Sequence, residues 1–332
     1  MAHNPKLNVY TLRLKPQNDS VQTFRDLFRG KYHESSSTPD TKLFKKYYED
    51  FVNEIGNDSF RKDQKHKKVL GLVNETGNIP LLPKDDTYID GVIEGGKYGI
   101  RREYADTDNK NDKKVIEENS AVLDRYYILL YTPLNSQYGL LFIQSYTEES
   151  VQDSFKDFVC KFFSCDGLFY NMVVESFVPQ KIIEKYMNET NIRMFSFITK
   201  TSLSGVLRDD TQIKGQTFEV EIKIKPLDEK LQPNTKKTSQ IIKAIGDKLF
   251  DGKPLKEGKA KAYVEDSKKR KANYDIEKEL NNIRPTIYLE DAGIVPDEKT
   301  GLPNFKSIQS YCLELLKDIK EEFKKKQDIH EF

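Results

Sequence analysis

Apolar positions concentrate in two neighbouring runs, Arg125 to Thr132 (RYYILLYT) and Tyr138 to Tyr146 (YGLLFIQSY). Their Tyr, Ile, Leu and Phe content and the short polar connection Leu134 to Gln137 predict two central strands joined as a hairpin. The spacing then changes. Val151, Phe155, Phe158, Val159 and Phe162 recur at helical intervals, so a helix is expected to lay one apolar face on that sheet. Thr147 is its expected N-cap, Glu148 and Glu149 fill its first turn, and Asp166-Gly167 ends it.

The flanking chain is read in the same way. Leu7 to Leu14 (LNVYTLRL) predicts a first strand, ended by Lys15-Pro16. A helix from about Ser20 to Phe28 carries Val21, Phe24, Leu27 and Phe28 on one face, and a second carries Leu43, Tyr47, Phe51 and Ile55. Val69 to Val73 reads as a short strand, and Tyr88 to Tyr104 as a hairpin turning at Gly95-Gly96. Ala105 to Ser120 (ADTDNKNDKKVIEENS) is nearly free of apolar residues and reads as a linker. It divides the chain into an N-terminal α+β region with a hairpin arm, residues 1–118, and a C-terminal α+β region with a basic loop and a final helix, residues 119–332.

Strands at Leu168 to Val178, Ile192 to Thr199 and Phe218 to Ile224 follow, with helices at Gln180 to Met187 and Thr238 to Phe250. A last helix bears Ile308, Tyr311, Cys312, Leu315, Ile319 and Phe323. The expected fold is α+β, a mixed or antiparallel sheet with helices packed on one face, in two packed regions.

Composition narrows the class. The 332 residues are 37% hydrophobic and 32% charged, with 37 Phe and Tyr residues and no Trp, which describes a polar globular chain. Met1 to Lys15 lacks an apolar signal core, and no apolar run approaches the roughly 18 residues of a membrane helix, so a cytoplasmic location without a membrane partner is expected. Three cysteines, an odd number in helical patterns, do not make a disulfide framework. Net charge is only +1, yet Thr235 to Tyr274 holds 12 Lys and Arg against 5 Asp and Glu, while Asp275 to Phe332 holds 9 against 13. A basic segment precedes an acidic one.

That basic segment is the first candidate site. Lys253, Lys256, Lys259, Lys261, Lys268, Lys269, Arg270 and Lys271 could grip phosphates, with Tyr263 and Tyr274 available to stack on bases. Asp251 to Tyr274, with two glycines and a proline, is expected as an exposed hairpin or mobile loop, and a merely solvated loop would carry the same residues. Lys97 to Arg102 (KYGIRR) is a smaller basic candidate. Asp210, Glu221 and Lys223 make the second site: Asp209-Asp210, ten residues, then Glu221-Ile222-Lys223 resembles the PD-(D/E)xK nuclease arrangement. In that arrangement an Asp and a Glu hold a divalent metal while the Lys orients the attacking water. The usual Pro is absent, and the same alternation describes an edge strand with Glu219, Glu221 and Lys223 facing solvent.

No other chemistry is expected. Cys160 and Cys165 sit on different sides of a helix with no His nearby in sequence, and the four histidines have no recognisable nucleophile partner. Gly91, Gly95, Gly96 and Gly99 match no phosphate-binding fingerprint. Apart from a divalent metal in the nuclease case, no cofactor is expected.

Lys6 to Pro16 (KLNVYTLRLKP) and Arg125 to Phe158 (RYYILLYTPLNSQYGLLFIQSYTEESVQDSFKDF) resemble bacterial proteins of this length associated with phage resistance. They include abortive-infection proteins carried on plasmids of low-GC Gram-positive bacteria. The resemblance implies a cytoplasmic defence role that halts phage replication, and it brings no functional residue with it. The expected partner is a phage component or nucleic acid. Self-association through the apolar stripe of the last helix is a third possibility.

Overall fold

The computed structural model describes residues 4–18, 23–56, 59–73, 80–85, 87–202, 217–227, 231, 233, 240–241, 244–245, 259–275 and 284–326. The chain starts with β1 (Lys6–Arg13), α1 (Phe24–Lys31), α2 (Asp40–Gly56), β2 (Arg61–Asp63), β3 (Lys68–Leu72), β4 (Leu82–Lys84) and β5 (Tyr88–Tyr98). Next come β6 (Arg102–Ala105), β7 (Lys113–Ile116), β8 (Ala121–Tyr131), β9 (Tyr138–Ser145), α3 (Gln152–Phe162) and β10 (Val173–Phe177). After these lie α4 (Gln180–Glu189), β11 (Thr190–Ser202), β12 (Thr217–Ile224), β13 (Lys259–Asp266) and β14 (Lys271–Asp275). β15 (Ile287–Tyr288), a 3-10 turn (Leu289–Ala292) and α5 (Phe305–Lys326) close the described part. The fold is α+β, and no helix among the described residues is long and apolar enough to cross a membrane.

Two compact units form, Met1–Phe177 with Thr286–Phe332, and Val178–Pro285. The boundary expected at Ala105 to Ser120 therefore moves. β5 and β8, which flank that segment, pair without interruption from Tyr88↔Tyr131 to Tyr98↔Ala121. The polar stretch is the exposed β6–β7 hairpin, because a hairpin standing off a sheet has no core to face and needs no apolar residues.

The first unit is built on an antiparallel sheet of order β10-β1-β9-β8-β5-β3-β2, with β15 on β1 and β4 on β5. One face carries Tyr10, Leu12, Ile93, Tyr126, Ile128 and Leu130 against α1, α2 and α3. The apolar stripes of those helices merge in an aromatic cluster, with Phe28 stacked on Tyr47 at 4.4 Å and Phe51 edge-on to Phe162 at 5.3 Å. Burying one such ring contributes on the order of 1.5–3 kcal/mol. Thr23 caps α1 in a reciprocal pair with Asp26.

Helices do not keep to one face. α5 packs over β5 and β8, with Ile308, Cys312 and Ile319 fully buried. Gln309 Nε2 donates to Asp90 Oδ2 at 2.5 Å, and Tyr127 donates to the same oxygen at 2.9 Å. Burial pushes the Cys312 thiol and the Tyr127 phenol up.

Two local expectations change. Gly95-Gly96 makes no turn, because β5 runs straight through it; a Cβ on Gly96 would strike the Val122 carbonyl, and one on Gly95 the Val69 carbonyl. These glycines serve close strand approach, which alternation alone cannot distinguish from a turn. α3 begins at Gln152 with Val151 at its N-cap, so Thr147 does not cap it, and Glu149 instead pairs with Lys97 at 2.9 Å.

The second unit is an antiparallel sheet of order β12-β11-β13-β14. Ile192, Phe195, Phe197, Ala260, Ala262, Val264 and Tyr274 form its core, joined by Ile183, Tyr186 and Met187 of α4. Most of the helix expected over Thr238 to Phe250 lies outside the described residues, although Ile241 and Ile245 pack against this core.

Candidate nucleic-acid interface

Strand alternation divides the residues of the second sheet between two faces. In β13 the sequence Lys259 to Asp266 (KAKAYVED) buries Ala260, Ala262 and Val264. Lys261, Tyr263 and Glu265 thus take the opposite face. Register places Tyr263 between Met194 of β11 and Asn273 of β14. Ser196 separates Lys261 from Lys223 of β12, and Lys271 stands opposite Glu265. Asn273, Lys271 and Lys223 are exposed. The outcome is a half-buried aromatic ring on a sheet face that also carries Lys223, Lys261 and Lys271.

The turn joining β13 to β14 is held by one carboxylate. Asp266 Oδ1 accepts from the backbone N–H of Lys268 and of Arg270, each at 2.9 Å, and its Oδ2 meets Arg270 Nε at 2.5 Å. Lys269 supplies the left-handed residue, at φ 61°. Arg270 is thereby folded back onto its own hairpin, while Lys268, Lys269 and Lys271 are exposed at the tip. Lys253 and Lys256 lie outside the described residues, and Lys259 is placed by its backbone pairing with Ile198. Tyr274 is a correction. It is 5% exposed within the core of the unit, with its hydroxyl pushed up by burial, and cannot stack on a base.

No family model matches the chain, and no curated protein matches it.

Of the nuclease-like set, Asp210 lies outside the described residues. Glu221 and Lys223 occupy one face of the edge strand β12, as alternation requires, with their carboxylate and ammonium 3.0 Å apart. Glu221 also accepts a 2.7 Å hydrogen bond from Ser196. That bond and the Lys223 ammonium hold the Glu221 carboxyl below its ordinary range, and the carboxylate in turn raises Lys223. The pair thus satisfies itself. Among the described residues no group of three or more His, Cys, Asp or Glu is placed to hold a metal.

Two acids of the sheet face are ion-paired. Glu265 binds Arg193 at 3.2 Å, Glu221 binds Lys223, and Glu219 stands opposite Lys200. This leaves the β13–β14 hairpin as the cationic part of the surface. The residues that sequence reasoning passed over are Ser196, which orients Glu221, and Asp266, which shapes the tip. Asp266 had a local signal, an acid closing a Lys-rich turn, whereas the Ser196–Glu221 contact depends on strand pairing.

Proposed function

We propose that the chain acts in bacterial phage defence by binding single-stranded nucleic acid on the open face of its second sheet, along the β13–β14 hairpin. The observation that carries the reading is Tyr263 standing between Lys261 and the Lys268, Lys269 and Lys271 tip. A sheet face with a partly exposed ring and flanking lysines suits unpaired bases, whose π-faces stack while their phosphates meet lysines. A duplex hides those faces. Three lysine contacts to a single strand imply a log–log slope of affinity against salt near −2, at about −0.7 per contact.

The direct test is the 260/280 nm absorbance ratio of protein purified at low salt and again after a high-salt wash. Without Trp the protein's own absorbance at 280 nm is modest, so bound nucleic acid is conspicuous. A high ratio that falls with salt supports the reading. A protein-like ratio at both salts directs the search to a phage protein.

The exposed Glu221–Lys223 pair keeps the metal-dependent nuclease as the second reading. On that reading Glu221→Ala abolishes defence at an unchanged melting temperature. Full defence by the folded variant removes it.

A further inference from the structure

In the first unit, the β2–β3 turn and α3 enclose a cleft of about 320 Å³. Arg61, Lys65 and Lys161 line it beside two acids, Asp63 and Asp157, while the neighbouring Lys62 has its ammonium 5.9 Å from the Tyr98 ring centroid. Both acids are engaged. Asp63 Oδ1 accepts from the backbone N–H of Lys65 at 2.9 Å and of His66 at 3.2 Å, and its Oδ2 faces His66 Nδ1 at 2.6 Å. Asp157 is bound by Lys65 at 2.7 Å. On the opposite wall the Arg61 guanidinium lies 4.8 Å from the Phe158 ring centroid and is tethered by Glu54 at 3.2 Å.

Two groups are not used up by these pairings. Lys161, exposed at the rim, has no carboxylate partner among the described residues. Ser154 is 2% exposed and lines the cleft. Its hydroxyl is near enough to Asp63 to help lower that carboxyl, yet it has no hydrogen-bond partner of normal geometry among the described residues. A buried hydroxyl left unpaired costs stability unless something fills the site.

We infer that this cleft binds a phosphomonoester group. The Lys161 ammonium unpaired among the described residues, a guanidinium held between Glu54 and Phe158 and a buried hydroxyl suit a compact dianion with several acceptor oxygens. The cleft volume is at the small end of ligand sites, nearer a mononucleotide than a polymer. The group could belong to a free nucleotide or to the 5′ end of a nucleic-acid strand. This inference is independent of the sheet face of the second unit.

Calorimetric titration of the full chain tests it, using inorganic phosphate and then a nucleoside 5′-monophosphate at ionic strength fixed with chloride. Saturable binding below about 10 mM is expected. Lys161→Ala should weaken it about tenfold, as loss of one charge-assisted contact implies. Ser154→Ala should weaken it several-fold, and the melting temperature measured alongside separates this loss from unfolding. Oligonucleotides with a 5′-phosphate or a 5′-hydroxyl, compared between wild type and Lys161→Ala, separate the two sources. A 5′-phosphate preference lost in the variant points to a strand end, and tighter binding of the mononucleotide points to the free ligand. No saturation by about 10 mM phosphate, or wild-type affinity in both cleft variants, overturns the inference.

Discussion

Replacing Asp63 with Asn removes a negative charge from the β2–β3 turn while leaving an acceptor oxygen for its backbone bonds. Burial alone would raise this carboxyl, but the nearby Ser154 hydroxyl and the bonds from His66 outweigh it and bring the pKa from 3.8 to about 2. The carboxyl side chain is only 18% exposed, so solvent screens it little. A folded pKa below the unfolded one contributes stability that is complete above about pH 5 and is lost as pH falls through about 4 to 2. At 1.36 kcal/mol per unit, the contribution is about 2 kcal/mol at neutral pH and about 1 kcal/mol at pH 3. Urea denaturation of wild type and Asp63→Asn at pH 7 and pH 3 measures both. A stability difference that does not shrink at pH 3, or that is under about 0.5 kcal/mol at pH 7, refutes the argument.

Other substitutions test separate parts of the fold. Gly96→Ala forces a Cβ into the Val122 carbonyl, so it should destabilise by about 1–3 kcal/mol in the same assay; an unchanged midpoint contradicts the close approach of β5 and β8. Tyr274→Phe removes a buried hydroxyl that has no hydrogen-bond partner among the described residues, and should be neutral or stabilising by up to about 1 kcal/mol. A clear loss of stability there would reveal a bond to that hydroxyl.

Much of this architecture is legible in the chain. β1, β8, β9 and β12 fall where apolar and alternating runs predict them, and Phe155, Phe158 and Phe162 turn inward as helical spacing requires. What failed was the reading of polarity. Ala105 to Ser120 is polar because its hairpin stands in solvent. The Lys-rich stretch, expected as an exposed hairpin or loop, does hold the β13–β14 hairpin, and Ala260, Ala262 and Val264 alternating with its lysines join it to the core of the second sheet. Gly95-Gly96 looks like a turn because a glycine needed for close packing leaves the same letters as one needed for a positive φ. The cleft was hidden for a different reason. Asp63 and His66 are local, but Ser154 and Asp157 join them only when α3 packs beside the β2–β3 turn.

The decisive measurement for nucleic-acid binding is fluorescence anisotropy of a labelled single-stranded oligonucleotide, titrated with wild-type and Tyr263→Ala protein over a salt series. Base stacking on a tyrosine is worth about 1–3 kcal/mol, so the variant should bind about tenfold more weakly or worse, with a similar salt slope. Lys271→Ala should instead flatten the slope by about 0.7. Duplex of the same sequence should bind less tightly than the single strand. Equal affinity of wild type and Tyr263→Ala for the single strand, or no binding at low salt, contradicts the assignment of this sheet face.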